Sequence, residues 1–146
     1  VLSRRQRQMC IRDRYMICTL SKHEAEKNGF TDALMLDYKG RVSESTGSNI
    51  FLVINGEIHT PVPDCFLNGI TRQAVIEIAK NEGIKVIERD IYPDEIKNAE
   101  EIFLTGSAVE VTPVGKIDNQ TFKVGDITAK ISNLYMKEVD PNYKDN

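Results

Sequence analysis

The middle of the chain contains the stretch Gly69-Ile70-Thr71-Arg72. A loop with two prolines, residues 60–68, precedes it, and an amphipathic run, residues 73–83, comes after it. The pattern predicts a helix that begins here, with a glycine, a hydroxyl group and free amides at its start. Such a helix end suits a phosphate, because its first amides lack intrahelical partners and carry the positive pole of the helix. For four such residues taken alone, an ordinary loop-to-helix junction is the commoner explanation.

Composition and charge exclude several classes of protein. The 146 residues correspond to one domain, and 40% hydrophobic and 28% charged residues are ordinary for a globular protein. The net charge of −3 argues against a nucleic-acid partner held by bulk electrostatics. No apolar run approaches the length of a membrane span. Three cysteines without C-x-x-C spacing and two separated histidines predict no disulfide framework and no metal site, and they fit the reducing cytoplasm.

Periodicity and turn signals predict a mixture of helices and strands without strict alternation. Helices are expected over residues 15–29, 70–83 and 125–139, with a short one over 93–99. Asn55-Gly56 indicates a type I′ hairpin between two strands. Such a mixture is typical of α+β packing around a curved sheet. Strands are expected over residues 33–37, 41–44, 50–54, 57–60, 84–88, 101–105 and 110–114, with two short ones within 116–124.

The first fourteen residues differ in composition from the rest of the chain. They contain five of the 19 Lys and Arg residues and show no clear amphipathic period. A basic nucleic-acid-binding arm and a mitochondrial-type presequence are two interpretations. We favour a third, that residues 1–14 are foreign sequence resembling translated sequencing adapters. The predicted domain therefore spans residues 15–139, and residues 140–146 form a polar tail.

Three turns rich in small residues come after predicted strands, at residues 44–49, 68–71 and 105–108. Each offers hydroxyl groups and backbone amides, and each alone is most often only a turn. If the three converge, their donors would form an anion-binding cup.

These turns lie in motifs that resemble those of the class IV aminotransferases, the fold-type IV pyridoxal-phosphate enzymes. The likeness covers residues 15–139 and is closest to the branched-chain amino-acid aminotransferases. It implies the α+β fold of their C-terminal domain, a curved mixed sheet flanked by helices, and pyridoxal 5′-phosphate as cofactor. The motifs, in the family's order and spacing, are Ser43-Glu44-Ser45-Thr46-Gly47-Ser48-Asn49-Ile50-Phe51, Leu67-Asn68-Gly69-Ile70-Thr71-Arg72 and Phe103-Leu104-Thr105-Gly106-Ser107-Ala108-Val109-Glu110-Val111-Thr112-Pro113-Val114.

The resemblance implies contacts to the cofactor's ring. Glu44 matches the carboxylate that faces the pyridine nitrogen and keeps it protonated. Tyr15 matches the tyrosine that hydrogen-bonds the phenolic oxygen. Leu67 matches an apolar residue that packs on the ring, and Gly47 and Ser48 line the pocket. Without the resemblance, Glu44 would be read as a solvated charge and Tyr15 as an amphipathic core residue.

The resemblance also implies a phosphate cradle and a substrate contact. Gly69, Ile70 and Thr71 match the cradle, through backbone amides and a hydroxyl at the helix start. Ser107 matches a second hydroxyl on the phosphate. Ser107 and Ala108 belong to the turn whose amide meets the substrate carboxylate.

One functional position departs from the family pattern. The family's Schiff-base lysine lies five residues before the tyrosine matched by Tyr15, and that position holds Cys10. No lysine occurs in residues 1–21, and Lys22 lies about two helical turns beyond Tyr15. A thiol replaces neither the covalent attachment nor the proton transfer of a lysine. We therefore expect the chain to be the C-terminal, cofactor-binding part of an aminotransferase and to be inactive alone.

The implied reaction moves an amino group between Leu, Ile or Val and 2-oxoglutarate. The expected partners are small molecules, without nucleic acid or membrane, and the intact protein is expected to be a homo-oligomer. Two alternatives keep the fold and change the reaction, a D-amino-acid aminotransferase and an aminodeoxychorismate lyase. A third is a non-catalytic module that retains the fold.

Overall fold

The structure, a computed structural model, describes residues 4–140 and 142–143, and the side chains only from residue 16 onward. Most of the predicted tail, and residues 1–3, therefore lie outside the described residues. The elements are α1 (Arg4–Lys27), β1 (Leu34–Leu36), β2 (Val42–Ser45), β3 (Asn49–Ile54), β4 (Glu57–Thr60), α2 (Ile70–Asn81), β5 (Val86–Glu88), a short 3₁₀ helix (Pro93–Asn98), β6 (Glu101–Gly106), β7 (Glu110–Pro113), β8 (Lys116–Ile117), β9 (Gln120–Thr121) and α3 (Asp126–Val139).

The centre of the fold is a five-stranded sheet in the order β5-β4-β3-β6-β7. Strands β4 and β5 are parallel, while the other neighbours in this sheet are antiparallel. Two smaller antiparallel pairs, β1 with β2 and β8 with β9, lie outside it. The predicted α+β class with a mixed sheet is thus confirmed.

Both faces of the central strand β3 are buried, because successive side chains of a strand point to opposite faces. Phe51 and Val53 contribute to a core that also contains residues of α2 and α3. Phe51 stacks on Phe103 of β6, with ring centroids 4.9 Å apart. Ile50 and Leu52 contribute to a second core with residues of β2, the 3₁₀ helix and the segment after β9. Helices α2 and α3 therefore cover one face, and shorter segments cover the other.

The hairpin between β3 and β4 confirms the turn predicted from sequence. Asn55 and Gly56 have φ of 53° and 74°, the left-handed values that a type I′ turn requires at both central positions. Ile54 pairs with Glu57 directly beside the turn. This turn fixes the register of β3, the strand that leads away from the first of the three small-residue turns.

The first helix begins earlier than predicted. Its expected start at Tyr15 is wrong, since α1 begins at Arg4. Residues 4–14 contain no glycine or proline and include five Arg and two Gln, which favour helices even without an amphipathic pattern. The helix ends at Lys27, where Gly29 adopts φ of 83° and Phe30 N–H bonds to the Ala25 carbonyl. No helix among the described residues is long and apolar enough to cross a membrane.

Helix α2 confirms the predicted amphipathic helix, with one difference at its start. Val75, Ile78 and Ala79 are buried as their spacing predicts, and they pack in the core under α2 and α3. The helical spacing of the sequence also predicts Ile70 on this apolar face, yet its side chain is 85% exposed. The reason is its position as the first residue of α2, beyond the edge of the core.

Candidate functional site

Two of the three small-residue turns meet at one end of the sheet. Asn49, the first residue of β3, pairs with Thr105 near the end of β6. The turn between β2 and β3 therefore lies beside the turn between β6 and β7. A Cβ placed on Gly106 would lie 3.2 Å from Ser48 Oγ and 3.3 Å from the carbonyl oxygen of Gly47. Gly106 thus allows the two turns to approach closely.

The side chain of Asn49 joins the remaining turn, residues 68–71, to this pair. Its Nδ2 donates to the Leu67 carbonyl oxygen at 2.9 Å, and its Oδ1 accepts from the Gly69 amide at 3.3 Å. All three turns therefore meet, as the cup hypothesis requires. Asn49 lies inside the first of the three motifs, but the sequence did not reveal a role for it. No local signal could have done so, because its partners lie 18 and 20 residues further along the chain.

The start of α2 retains free backbone donors. Gly69 is its N-cap residue and provides no side-chain hydrogen bond. The amide of Gln73 makes the bond to the Gly69 carbonyl, so the amides of Ile70 and Thr71 precede the helical ladder. Thr71 is only 5% exposed, so its side chain is buried at this end of the helix. The arrangement offers donors and a positive helix pole to an anion.

The other predicted site residues differ in how far they are exposed to solvent. Ser48 is buried and Glu44 is half-buried in β2, whereas Gly47, Ser107 and Ala108 are exposed at the turn surfaces. Leu67 is 64% exposed although it is a large apolar residue. Tyr15 and Cys10 lie within α1, but the positions of their side chains are outside the described residues.

Local hydrogen bonds hold the first and third motif turns in shape. The Ser45 amide donates to the Ser48 carbonyl oxygen at 2.8 Å, and the Ser45 hydroxyl donates to the same oxygen at 3.2 Å. In the turn after β6, the Val109 amide donates to the Gly106 carbonyl oxygen at 3.2 Å. The Thr112 hydroxyl closes this turn with a bond of 2.5 Å to the Val109 carbonyl oxygen. At the tips of these two turns, Gly47 and Ser107 are exposed.

Arg72 has a structural role that the sequence did not reveal. Its side chain is 1% exposed and donates to Asn68 Oδ1 at 2.8 Å and to the Pro61 carbonyl oxygen at 3.0 Å. It also pairs with Glu88 Oε2 at 2.7 Å. Arg72 therefore ties both ends of the loop before α2 to strand β5.

A second buried arginine anchors the same loop from the other side. Arg41 pairs with Asp64 at 2.9 Å and with Asp90 at 2.7 Å, and also contacts Asp37. These three carboxylates raise the pKa of Arg41 above its ordinary value. Burial opposes ionisation of Asp37, but hydrogen bonds from the side chain and backbone of Arg41 outweigh it and lower the pKa of Asp37. Arg41 thus links the turn before β2, the loop before α2 and the end of β5.

One group of metal-ligand types occurs in the described part of the chain, next to Arg41. Ligand atoms of Asp37, Asp64 and Cys65 lie within 4.8 Å of one another. The guanidinium of Arg41 already pairs with both carboxylates. The arginine therefore supplies the positive charge that a metal ion would otherwise bring.

Comparisons with known proteins identify the family of this chain. The chain matches the family described as amino-transferase class IV over residues 3–117, more than half of its length. It belongs to the class IV aminotransferases. The matched range begins inside residues 1–14, and the domain boundary at residue 15 stays a prediction.

A curated member of this family shows how the chain compares in length. The probable branched-chain-amino-acid aminotransferase of Rickettsia felis is 42% identical over 124 residues. The match covers 85% of this chain and 43% of that protein. The chain thus spans less than half the length of this relative.

Solved structures of the family share the fold. A branched-chain aminotransferase from Thermoproteus uzoniensis, solved with norvaline, superposes with a TM-score of 0.83 at 40% identity, over 86% of this chain and 42% of that one. An aminotransferase from Brucella abortus, bound to the cofactor PLP, has a TM-score of 0.82 at 38% identity, over 85% of this chain and 45% of that one. The predicted fold class of the family's C-terminal domain is thereby confirmed.

Proposed function

We propose that this chain forms the cofactor-binding part of a branched-chain amino-acid aminotransferase. The observation that carries the proposal is the meeting of the three motif turns around Asn49. The names of the similar proteins favour branched-chain substrates over the D-amino-acid and aminodeoxychorismate alternatives. The proposal concerns the whole protein, of which this chain spans a part.

The start of α2 fits the phosphate of pyridoxal 5′-phosphate. Among the described residues no side chain caps this helix end, and Gly69 keeps the cradle free of a Cβ atom. In the proposal, Ile70 and Thr71 donate backbone amides and the Thr71 hydroxyl to the phosphate. Ser107, exposed on the neighbouring turn, donates a further hydroxyl. Hydrogen bonds from several donors to one anion are short and strong.

The ring of the cofactor would lie between the three turns. We propose that Leu67 packs on the ring, consistent with its large exposed apolar side chain. The Glu44 carboxylate would hold a proton on the pyridine nitrogen, and the Tyr15 hydroxyl would bond the phenolic oxygen. Gly47 and Ser48 would line the pocket. When bound, pyridoxal phosphate supplies an electron sink for reactions at the α-carbon of an amino acid.

The substrate carboxylate is assigned to the turn after β6. Ser107 and Ala108 are exposed there, and the backbone amides of this turn can donate to an anion. An amino group would pass from Leu, Ile or Val to 2-oxoglutarate in two half-reactions. Substrate profiling of the intact protein tests this choice, and preferred turnover of D-alanine would contradict it.

We further propose that the 146-residue chain does not catalyse transamination by itself. The position five residues before Tyr15 holds Cys10, whereas the reaction needs an amine there for covalent attachment and proton transfer. The test is glutamate formation from leucine and 2-oxoglutarate, with pyridoxal phosphate added to the purified chain. We expect none above a protein-free control, and measurable turnover would refute the proposal.

For the intact protein we propose small-molecule partners only, an amino acid and a 2-oxo acid. We also propose a homo-oligomeric assembly and a cytoplasmic location. Light scattering on the intact protein measures its mass in solution. A monomeric mass at working concentrations would contradict the assembly.

A further inference from the structure

Asn49 connects the central sheet to the loop that leads into α2. It is 5% exposed and begins β3, where it pairs with Thr105 of β6. One end of its carboxamide donates to the Leu67 carbonyl, and the other accepts from the Gly69 amide. A single side chain therefore fixes two backbone groups of the loop that leads into α2.

The contact with Gly69 is close enough to exclude a side chain. A Cβ placed on Gly69 would lie 2.6 Å from Asn49 Oδ1, nearer than real Cβ contacts allow. Gly69 is the N-cap residue of α2, so its position sets the position of the next two amides. The backbone of Asn49 is in turn held in the sheet by its pairing with Thr105 of β6.

We propose that Asn49 is a positioning residue, which places the amides of Ile70 and Thr71 to receive the cofactor's phosphate. This inference rests on the proposed function, because it needs a phosphate at the start of α2. Asn49 acts through Leu67 and Gly69, since each polar end of its side chain is engaged by their backbone. A shift of this loop would move the helix start relative to the turn that carries Ser107.

The chemistry of the carboxamide makes the inference testable by two different substitutions. Asparagine has both donor and acceptor groups, whereas an aspartate of the same shape has only acceptors. Asn49→Asp thus loses the bond to the Leu67 carbonyl and adds a negative charge near the helix start. That charge is favourable for the helix itself but repels a bound phosphate. Asn49→Ala removes both bonds without adding charge.

The experiment compares two ligands that differ only in phosphate, pyridoxamine 5′-phosphate and pyridoxamine. NMR titration of the 146-residue chain gives both dissociation constants. The dissociation constant of pyridoxamine divided by that of pyridoxamine 5′-phosphate measures how much the phosphate contributes to binding. We expect the ratio to fall by about tenfold or more in both variants, the factor that 1.4 kcal/mol represents. Asn81→Ala, at the opposite end of α2 and exposed, is the matched control and leaves the ratio unchanged.

If Asn49 only stabilises the fold, replacing it lowers the affinity for both ligands equally and leaves the ratio unchanged. An unchanged ratio in the Asn49 variants would therefore overturn the inference. If Asn49→Ala does not fold, as judged by circular dichroism, Asn49→Ser decides the question, because it shortens the side chain without adding a charge. A wild-type ratio near one contradicts the proposed function itself, and with it the inference. A wild-type ratio well above one that is unchanged in the Asn49 variants contradicts the inference about Asn49 but not the proposed function.

Discussion

At Gly69 the backbone of the cradle passes directly against the side chain of Asn49. The φ of Gly69 is −63°, which any residue adopts, so backbone strain does not require glycine here. The requirement comes from the missing Cβ, which would lie 2.6 Å from Asn49 Oδ1. Replacing this glycine therefore tests the contact and not the backbone conformation.

We expect Gly69→Ala to lower the free energy of unfolding by about 1–3 kcal/mol, the usual effect of overpacking. The displaced loop would also weaken binding of pyridoxamine 5′-phosphate. Urea unfolding and ligand titration measure the two effects. Gly115→Ala serves as control, because a Cβ at Gly115 meets no atom within 4 Å. Equal stability of the two variants would contradict the close contact.

His59 gives a residue-scale prediction for pH. Burial, and then the charge of Arg89, lower the pKa of His59 below its ordinary 6.5, while Glu57 and Glu95 act in the opposite direction. Arg89 Nε donates to His59 Nδ1 at 3.0 Å, which requires an unprotonated Nδ1. The unfolded chain takes up the proton first as pH falls. The contribution of His59 to stability is therefore complete above 6.5 and decreases as pH falls through its folded pKa.

Urea unfolding of the wild type, His59→Gln and His23→Gln, at pH values above and below 6.5, measures this dependence. We expect the free energy of unfolding to decrease less between the two pH values in His59→Gln than in the wild type. His23 is exposed on α1, so His23→Gln keeps the decrease. An identical pH dependence in all three proteins would show that His59 does not titrate as described.

Sequence patterns predicted features that depend on residues adjacent in the chain. They missed residues whose side chains contact elements distant in sequence. The helix start at Gly69, Ile70 and Thr71 was predictable because it is a local pattern. Asn49 and Arg72 were not, because their side chains bond to groups in other elements. An arginine on a helix is usually solvated, and the burial of Arg72 is apparent only once β5 and the loop before α2 are placed.

At the scale of elements, α3 is joined to the sheet by a carboxylate. Glu101 of β6 accepts from the Thr128 amide at 2.7 Å and from the Ile127 amide at 3.4 Å. A Cβ on Gly125 would lie 2.0 Å from Glu101 Oε1, so this glycine permits the approach. A negative group here satisfies amides at the positive end of the helix.

We expect Glu101→Gln to lower the free energy of unfolding by about 1 kcal/mol, because a neutral amide is a weaker cap than a carboxylate. Glu100 is exposed and lies outside this contact, so we expect Glu100→Gln to change the free energy of unfolding little. Chemical denaturation of the three proteins measures the difference. A loss from Glu100→Gln as large as that from Glu101→Gln would contradict the capping role.

Element boundaries were predictable where a residue with special backbone geometry marks them. Asn55-Gly56 and Gly29 fulfilled this condition, since all three adopt positive φ. The start of α1 was missed because the prediction relied on amphipathic spacing. The helix propensity of Arg, Gln and Met instead extends α1 back to Arg4.

At the scale of the whole molecule, strand order creates the candidate site. β3 and β6 are far apart in sequence but adjacent in the sheet, and their antiparallel pairing puts two motif turns at one end. Motif order alone identified the family, yet it did not reveal which strands are neighbours. The meeting of the turns became visible only with the pairing of Asn49 and Thr105.

A crystal structure of the 146-residue chain with pyridoxamine 5′-phosphate tests the central claim most directly. We predict the phosphate within hydrogen-bond distance of the Ile70 and Thr71 amides and the Ser107 hydroxyl, with the pyridine nitrogen facing Glu44. A phosphate bound away from the start of α2, or a ring turned away from Glu44, would contradict the account.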